Sequence, residues 1–213
     1  MKKKGCGEAG GCHCGALSAI CSVVSVRALQ IFLTLAMLLF VSGMGARGEL
    51  STGKSYSISF ADINGQKLST ADGHITIVVL TTSADREQAR SVGDHVPDFC
   101  LGNPAYRMIT VVHFVREHLA IGRRMATTFI HHRVREEAKR LQARYDAQKI
   151  GRDARSDIFV VTDFDGTIAS QLSQSPGATD FCVFVFGKSG ELLAQWHTVP
   201  SSEELAAAVK KSD

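Results

Sequence analysis

The cysteines are the residues with the clearest capacity for chemistry, and they are unevenly distributed. Two of the six, Cys100 and Cys182, lie in the body of the chain, and the other four crowd the first 21 residues: Cys6, Cys12, Cys14 and Cys21. A small disulfide-stapled fold would spread its cysteines throughout, so that class is excluded. The N-terminal group, with His13, has C-x5-C-x-C spacing instead of the paired C-x2-C of zinc sites. We therefore predict no metal and no cofactor, and we expect these residues to form an unstructured leader or to precede the true start.

Cys100 and Cys182 are the candidate thiols of the remaining chain. A thiolate is a nucleophile, so either residue could serve a thiol oxidoreductase or a peroxidase. A disulfide between them is a second option in an oxidising compartment. The third option is that Cys182 is a small apolar side chain in a buried strand, as cysteines often are. The sequence leaves these options open.

A second chemical motif follows an apolar run near residue 160. Asp163 and Asp165 lie in the sequence D-F-D-G-T that follows this run. The run and the D-F-D-G-T sequence together resemble the first motif of haloacid-dehalogenase-type phosphatases. In that family the first aspartate accepts the phosphoryl group and helps to hold Mg²⁺, and the second is a general acid. Only 46 residues follow Thr167, and they contain no acidic pair at a strand end. We therefore expect a turn here, and phosphatase activity is the least favoured alternative.

The N-terminal part of the chain has the pattern of an export signal. Residues 28–46 contain no charge, three lysines and Arg27 precede them, and small residues follow. A basic segment, an apolar segment and a small-residue exit are the parts of a signal peptide. The apolar run is also close to the minimum length of a membrane span. Because positive charge gathers on its N-terminal side, we expect residues 47–213 on the extracytoplasmic side, either secreted or anchored in the membrane.

The chain is long enough for one domain of ordinary size after this segment. Its composition is 45% hydrophobic and 21% charged, and its net charge of +3 is too small to indicate a nucleic-acid partner. We divide it into a basic cysteine-containing leader (1–27), a signal peptide or anchor (28–46), a linker (47–54) and one α/β domain (55–213). The expected partners are the membrane, through the N-terminal segment, and a protein.

Hydrophobic periodicity predicts the elements of that domain. Alternating residues at 56–60 and a return at 66–69 predict a β-hairpin. The β-branched run 74–81 predicts a buried central strand, and Thr82–Asp85 has the character of a helix start. Further strands are predicted at 107–114, 157–162, 181–186 and 192–197, with a long helix at 116–148 and a short helix at the C-terminus. Strand–helix alternation predicts parallel pairing, and the closing hairpin predicts an antiparallel edge.

This order resembles the thioredoxin-like superfamily, in particular the membrane-tethered bacterial thiol-disulfide reductases and the peroxiredoxins. The hairpin with Asp62 and Gly65 and the glycine-started strand from Gly73 look similar to that arm. A turn at residues 187–190 resembles the D-x-x-G turn between the last two strands of the family, with Gly187 in place of the aspartate. The resemblance covers residues 59–210 and implies a central mixed sheet flanked by helices.

The sequence departs from the family at the residues that carry its chemistry. The resemblance implies that the reductase C-x-x-C cysteines fall on Asp85 and Gln88, and that the T-x-x-C of peroxiredoxins falls on Thr82 to Asp85. Asp180 stands where the family has a proline before the fourth strand, and the nearest proline is Pro176. A carboxylate at a helix start is stabilised by the helix dipole, but it cannot form a disulfide.

Three functional hypotheses follow. The first is a thioredoxin-fold binding or assembly module without the redox cysteines, in which Thr82, Asp85, Gln88 and Asp180 line a vestigial redox site. The second is a thiol oxidoreductase or peroxidase that uses Cys182 or Cys100. The third is the phosphatase, with Asp163 and Asp165.

Overall fold

The computed structural model describes residues 50–114, 120–172 and 181–211, which all belong to the compact unit Arg47–Asp213. The predicted leader and membrane segment, together with Pro176 and Asp180, lie outside the described residues. Within the described ranges no helix combines the length and the apolar character that a membrane span requires.

The elements follow the order predicted from the sequence. In chain order they are β1 (Ser59–Ala61), β2 (Lys67–Ser69), β3 (Ile75–Thr81), α1 (Arg86–His95), β4 (Tyr106–His113), α2 (Ala120–Ala147), β5 (Ile158–Asp163), α3 (Thr167–Gln171), β6 (Cys182–Phe186), β7 (Leu192–Trp196) and α4 (Ser202–Lys210). Helix α3 and two short 3-10 turns, Asp98–Cys100 and Ala154–Asp157, were not predicted.

Five strands form one mixed sheet in the order β5-β4-β3-β6-β7. Strands β3, β4 and β5 are parallel because helices connect them, whereas β6 is antiparallel to both β3 and β7. Strands β1 and β2 form a separate antiparallel hairpin. The predicted first strand at 56–60 is wrong in its position: β1 begins at Ser59, and the Tyr56 N–H donates to the carbonyl of Gly190 instead of to β2.

The core lies on both faces of this sheet, which explains why β3 and β6 are buried at every position. We call the side covered by the hairpin and α3 face A; Phe60, Leu80 and Leu172 are buried there. We call the opposite side face B, where Val92 of α1 and Leu205 of α4 pack on the sheet. Helix α2 adds Ile130 and Val134, which pack against Val160 of β5 on this side.

Candidate functional site

The sequence predicts a vestigial redox site at the N-terminus of helix α1. Thr82 follows the last residue of β3, and Asp85 is the residue that immediately precedes α1. The Thr82 hydroxyl donates a hydrogen bond to the Asp85 carboxylate over 2.7 Å and accepts one from the Ala84 N–H over 3.2 Å. Helix α1 then begins when the Ala89 N–H donates to the Asp85 carbonyl. The two polar side chains are therefore held together at the end of the central strand.

The Asp85 carboxylate does not cap α1. None of the N–H groups in the first turn of the helix donates to it, because it is turned toward Thr82. Gln88 is the third residue of α1 and is exposed to solvent, while Asp85 is half-buried. A carboxylate beside the N-terminal end of a helix dipole is favourably placed, but it has no capacity to attack a disulfide or a peroxide. The fourth residue of the predicted site, Asp180, lies outside the described residues.

Cys182 lies near the same edge of the sheet, on face A. It is opposite Leu80 in the pairing of β3 with β6, and its side chain is fully buried. Its Sγ lies 3.0 Å from Nδ1 of His197, which is exposed and directly follows β7. The Gln195 side-chain nitrogen lies 3.4 Å from Nε2 of the same imidazole. An imidazole at this distance can accept a proton from a thiol, which is the pairing that activates nucleophilic cysteines.

The sequence analysis did not single out His197. The signal was present in the hairpin register, because Val183 pairs with Trp196 and the next pair outward is Cys182 with His197. Reading that register from the sequence requires the position of the irregularity between Val185 and Phe186, and neither residue type reveals it. The pair therefore became visible only in the structure.

Cys100 lies on the other side of the sheet. It is buried on face B in the 3-10 turn that follows α1, whereas Cys182 is buried on face A. Neither forms a disulfide among the described residues. The option of a Cys100–Cys182 disulfide is therefore wrong, because the sheet separates the two sulfurs.

Asp163 is the last residue of β5, and Asp165 lies in the short segment between β5 and α3. Asp163 is 1% exposed, and its two oxygens accept the backbone N–H groups of Ile168 and Ala169 over 3.3 and 2.9 Å. His113 at the end of β4 places its Nδ1 3.2 Å from Asp163. Asp165 is exposed and accepts the Thr167 N–H. This bond and the Thr167 hydroxyl lower the pKa of Asp165.

The arrangement around Asp163 supports helix α3. Gly166 takes a positive φ of 72° at the helix start, a conformation that glycine adopts without strain. The buried Asp163 carboxylate then satisfies two of the backbone N–H groups that a helix start leaves without partners. Among the described residues, no group of three or more histidine, cysteine or acidic side chains is placed to hold a metal ion.

The structure has the central mixed sheet and the flanking helices that the resemblance implied, so the prediction of a mixed α/β fold is confirmed. No protein-family model matches the chain, and no curated protein is significantly similar to it.

The solved structures similar to this chain are thioredoxin-like proteins. An exposed lipoprotein thioredoxin of Streptococcus pneumoniae is 12% identical, with 73% of this chain and 99% of that chain covered and a TM-score of 0.48. A secreted disulfide oxidoreductase of Mycobacterium tuberculosis is 11% identical, with 72% and 95% covered and a TM-score of 0.41. A peroxiredoxin-like protein of Aquifex aeolicus is 14% identical, with 78% and 90% covered and a TM-score of 0.45. With identities below 25% and TM-scores below 0.5, these likenesses assign no chemistry to this chain.

Proposed function

We propose that this chain is an extracytoplasmic, secreted or membrane-anchored thioredoxin-fold module that binds or assembles a partner and does not exchange disulfides. The observation that carries the proposal lies at the N-terminus of α1. There the half-buried Asp85, hydrogen-bonded to Thr82, occupies the position at which the resemblance implies the attacking cysteine. The apolar segment at 28–46 supports placement of the domain outside the cytoplasm.

The proposal is tested by an insulin-reduction assay on the full chain with dithiothreitol as reductant. We expect insulin to precipitate no faster than with dithiothreitol alone, while a thioredoxin assayed in parallel accelerates it. The matched variants are Cys182→Ser and Cys100→Ser, each of which removes one buried thiol of the described domain. If the chain accelerates precipitation and Cys182→Ser abolishes the effect, the redox-inactive account is wrong.

The binding role is tested separately at the exposed Gln88. A photo-reactive amino acid at this position should crosslink to a peptide or protein partner that contacts the N-terminus of α1. The matched control carries the same amino acid at Lys188, an exposed residue of the turn between β6 and β7. Equal crosslinking at the two positions would count against a partner at the N-terminus of α1.

A second candidate function is favoured by one observation, the 3.0 Å distance between Cys182 Sγ and His197 Nδ1. In a peroxidase the Cys182 thiolate would attack one oxygen of a hydroperoxide, the O–O bond would break, and the sulfur would become a sulfenic acid. His197 would pass the thiol proton to the departing alkoxide, which leaves as an alcohol. Because Cys182 is fully buried, this reaction requires local opening, and for that reason the candidate stands second.

Thiol alkylation distinguishes this candidate from the first. Iodoacetamide labelling of the full chain, mapped by peptide mass spectrometry, gives separate rates for Cys182 and Cys100. The peroxidase candidate predicts faster labelling of Cys182, a loss of that advantage in His197→Asn, and consumption of hydrogen peroxide. The binding-module proposal predicts slow labelling of both cysteines and no consumption.

A further inference from the structure

A cleft of about 510 Å³ lies on face B between the sheet, α1 and α2. Its floor includes three alternate residues of β4: Met108, Thr110 and Val112. All three are only half-buried, although β4 has a strand on each side. The space above them is therefore a gap between the two helices and the sheet, of the size that small-molecule sites have.

Ion pairs close the cleft over one half of its length. Arg90 of α1 contacts Glu137 of α2 over 2.7 Å, and Arg140 contacts Asp94 over 3.3 Å. One turn further along α2, Arg144 donates to the carbonyl of Gly93 over 2.9 Å. These bonds tie the second half of α1 to the second half of α2, so they form a roof above that part of β4.

In the described part of the chain, no ion pair crosses the other half of the cleft. Arg86, in the first turn of α1, pairs with Glu87 of its own helix over 3.6 Å. Opposite it on α2, Phe129 is 53% exposed, and Met125 next to it is 70% exposed. The open end of the cleft therefore lies between the start of α1 and the first half of α2, and large apolar side chains flank it.

The open end carries positive charge. From residue 120 to residue 135, α2 contains four arginines and no acidic residue, and the next residue, Glu136, which also lines the cleft, pairs with Lys139 over 3.1 Å. One of them, Arg133, lines the cleft, and its guanidinium lies 4.8 Å from the centre of the Phe129 ring. Among the described side chains no carboxylate forms an ion pair with Arg133. An anion at this position would therefore meet a cation that has no acidic partner.

The dimensions suit an aliphatic chain. The lining runs from Thr82 at one end of β4 to Tyr145 at the other, and eight residues of a strand span about 26 Å. One leaflet of a bilayer core is about 15 Å thick, which is the length that a fatty acyl chain occupies. Such a chain fits along β4 under the roof, and its head group then reaches the open end.

We infer that this cleft binds a long-chain carboxylate, with the aliphatic chain on Met108, Thr110 and Val112 and the carboxylate at Arg133. The inference goes beyond the proposed function, because it concerns a separate cleft and does not depend on whether the domain exchanges disulfides.

The test is isothermal titration of the full chain with dodecanoate below its micellar concentration. We expect one molecule to bind per chain, with affinity falling about fourfold for each methylene removed, as burial of a methylene predicts. Dodecyltrimethylammonium, which has the same chain and a positive head group, should bind at least tenfold more weakly. Absence of dodecanoate binding, or equal binding of the two amphiphiles, would overturn the inference.

Variants locate the site. Thr110→Trp fills the floor, and Ala126→Trp fills the cleft from α2. Both residues line the cleft and are half-buried, so we expect both variants to fold. Each should reduce dodecanoate binding at least tenfold while the thermal unfolding curve stays cooperative. Arg133→Gln should weaken binding about tenfold, whereas Arg135→Gln, on the same helix and outside the cleft, should not change it. Binding that persists in the folded filled variants would contradict the assignment.

A second titration separates a free fatty acid from an intact membrane lipid. Vesicles of phosphatidylglycerol test whether the cleft holds the acyl chain of an intact lipid, whose anionic group is a phosphate, and free dodecanoate tests a soluble fatty acid. We expect dodecanoate to bind in the absence of vesicles. Binding to vesicles alone, unchanged in the filled variants, would instead indicate a surface contact through Met125 and Phe129 and would overturn the cleft as the site.

Discussion

Substitution of Asp163 by asparagine tests the role of the buried carboxylate in most detail. Both oxygens of Asp163 accept backbone N–H groups at the start of α3, so no rotation of an asparagine side chain can satisfy both donors. One oxygen becomes an NH₂ group that faces an N–H donor, and the bond with His113 changes as well. A buried donor left without a partner costs about 1–3 kcal/mol, and a charge-assisted bond contributes more than a neutral one. We therefore expect Asp163→Asn to lower the free energy of unfolding by about 2–4 kcal/mol.

The measurement is urea unfolding at neutral pH, followed by the fluorescence of Trp196, the single tryptophan of the chain, and by far-UV circular dichroism. The matched control is Asp165→Asn, because Asp165 is exposed and its substitution should cost less than about 1 kcal/mol. An Asp163→Asn chain within about 0.5 kcal/mol of the native chain would refute the structural role. Mg²⁺-dependent hydrolysis of p-nitrophenyl phosphate that Asp163→Asn abolishes would support the phosphatase alternative instead.

Three further predictions concern packing and pH. Burial, followed by the hydrogen bond to a neighbouring carboxylate, raises the pKa of Tyr145 to about 12. The contribution of the neutral phenol to stability should therefore be complete below pH 10 and be lost as the pH rises toward 12. Alkaline unfolding of Tyr145→Phe should lack this loss of stability. Gly190 has φ +80°, and a Cβ there would lie 2.4 Å from the Tyr56 carbonyl oxygen, so Gly190→Ala should destabilise the domain by more than about 1 kcal/mol in the same urea assay. Burial alone would raise the pKa of Asp72, but hydrogen bonds led by that from Arg107 lower it to about 2. The ionised Asp72 carboxylate should therefore stabilise the fold above pH 4, and this stabilisation should decline as the pH falls toward 2. The NMR chemical shift of the carboxyl carbon measures this titration.

The strands and long helices could be predicted because their signals are local. The run at β3 is rich in β-branched residues and is buried at every position, and Ser201 with Glu204 has the spacing of a capping box, which the structure confirms at the start of α4. Helix α3 has only five residues, and its start depends on the carboxylate of Asp163. Such a short helix has too little periodicity to be detected in the sequence.

The parts of the candidate site that depend on distant pairings could not be predicted. The contact of Cys182 with His197 depends on a hairpin register with an irregularity, and the cleft on face B depends on how far α2 stands from β4. The first strand was misplaced because Tyr56 alternates with serines as a strand residue would. Its N–H nevertheless bonds to the turn at Gly190, and a contact between residues so far apart in the chain leaves no local pattern.

The most direct test of the central claim is to introduce two cysteines at the N-terminus of α1. In the double variant Asp85→Cys, Gln88→Cys, the two residues are three positions apart at a helix start, a separation that a disulfide can bridge. We predict that the oxidised variant contains this disulfide by peptide mass spectrometry and accelerates insulin reduction, while the native chain does not. The control Arg86→Cys, Gln88→Cys places its thiols two positions apart and should form no bridge. A native chain that reduces insulin, together with a double variant that forms no disulfide, would contradict the claim that Asp85 stands in the place of the attacking sulfur.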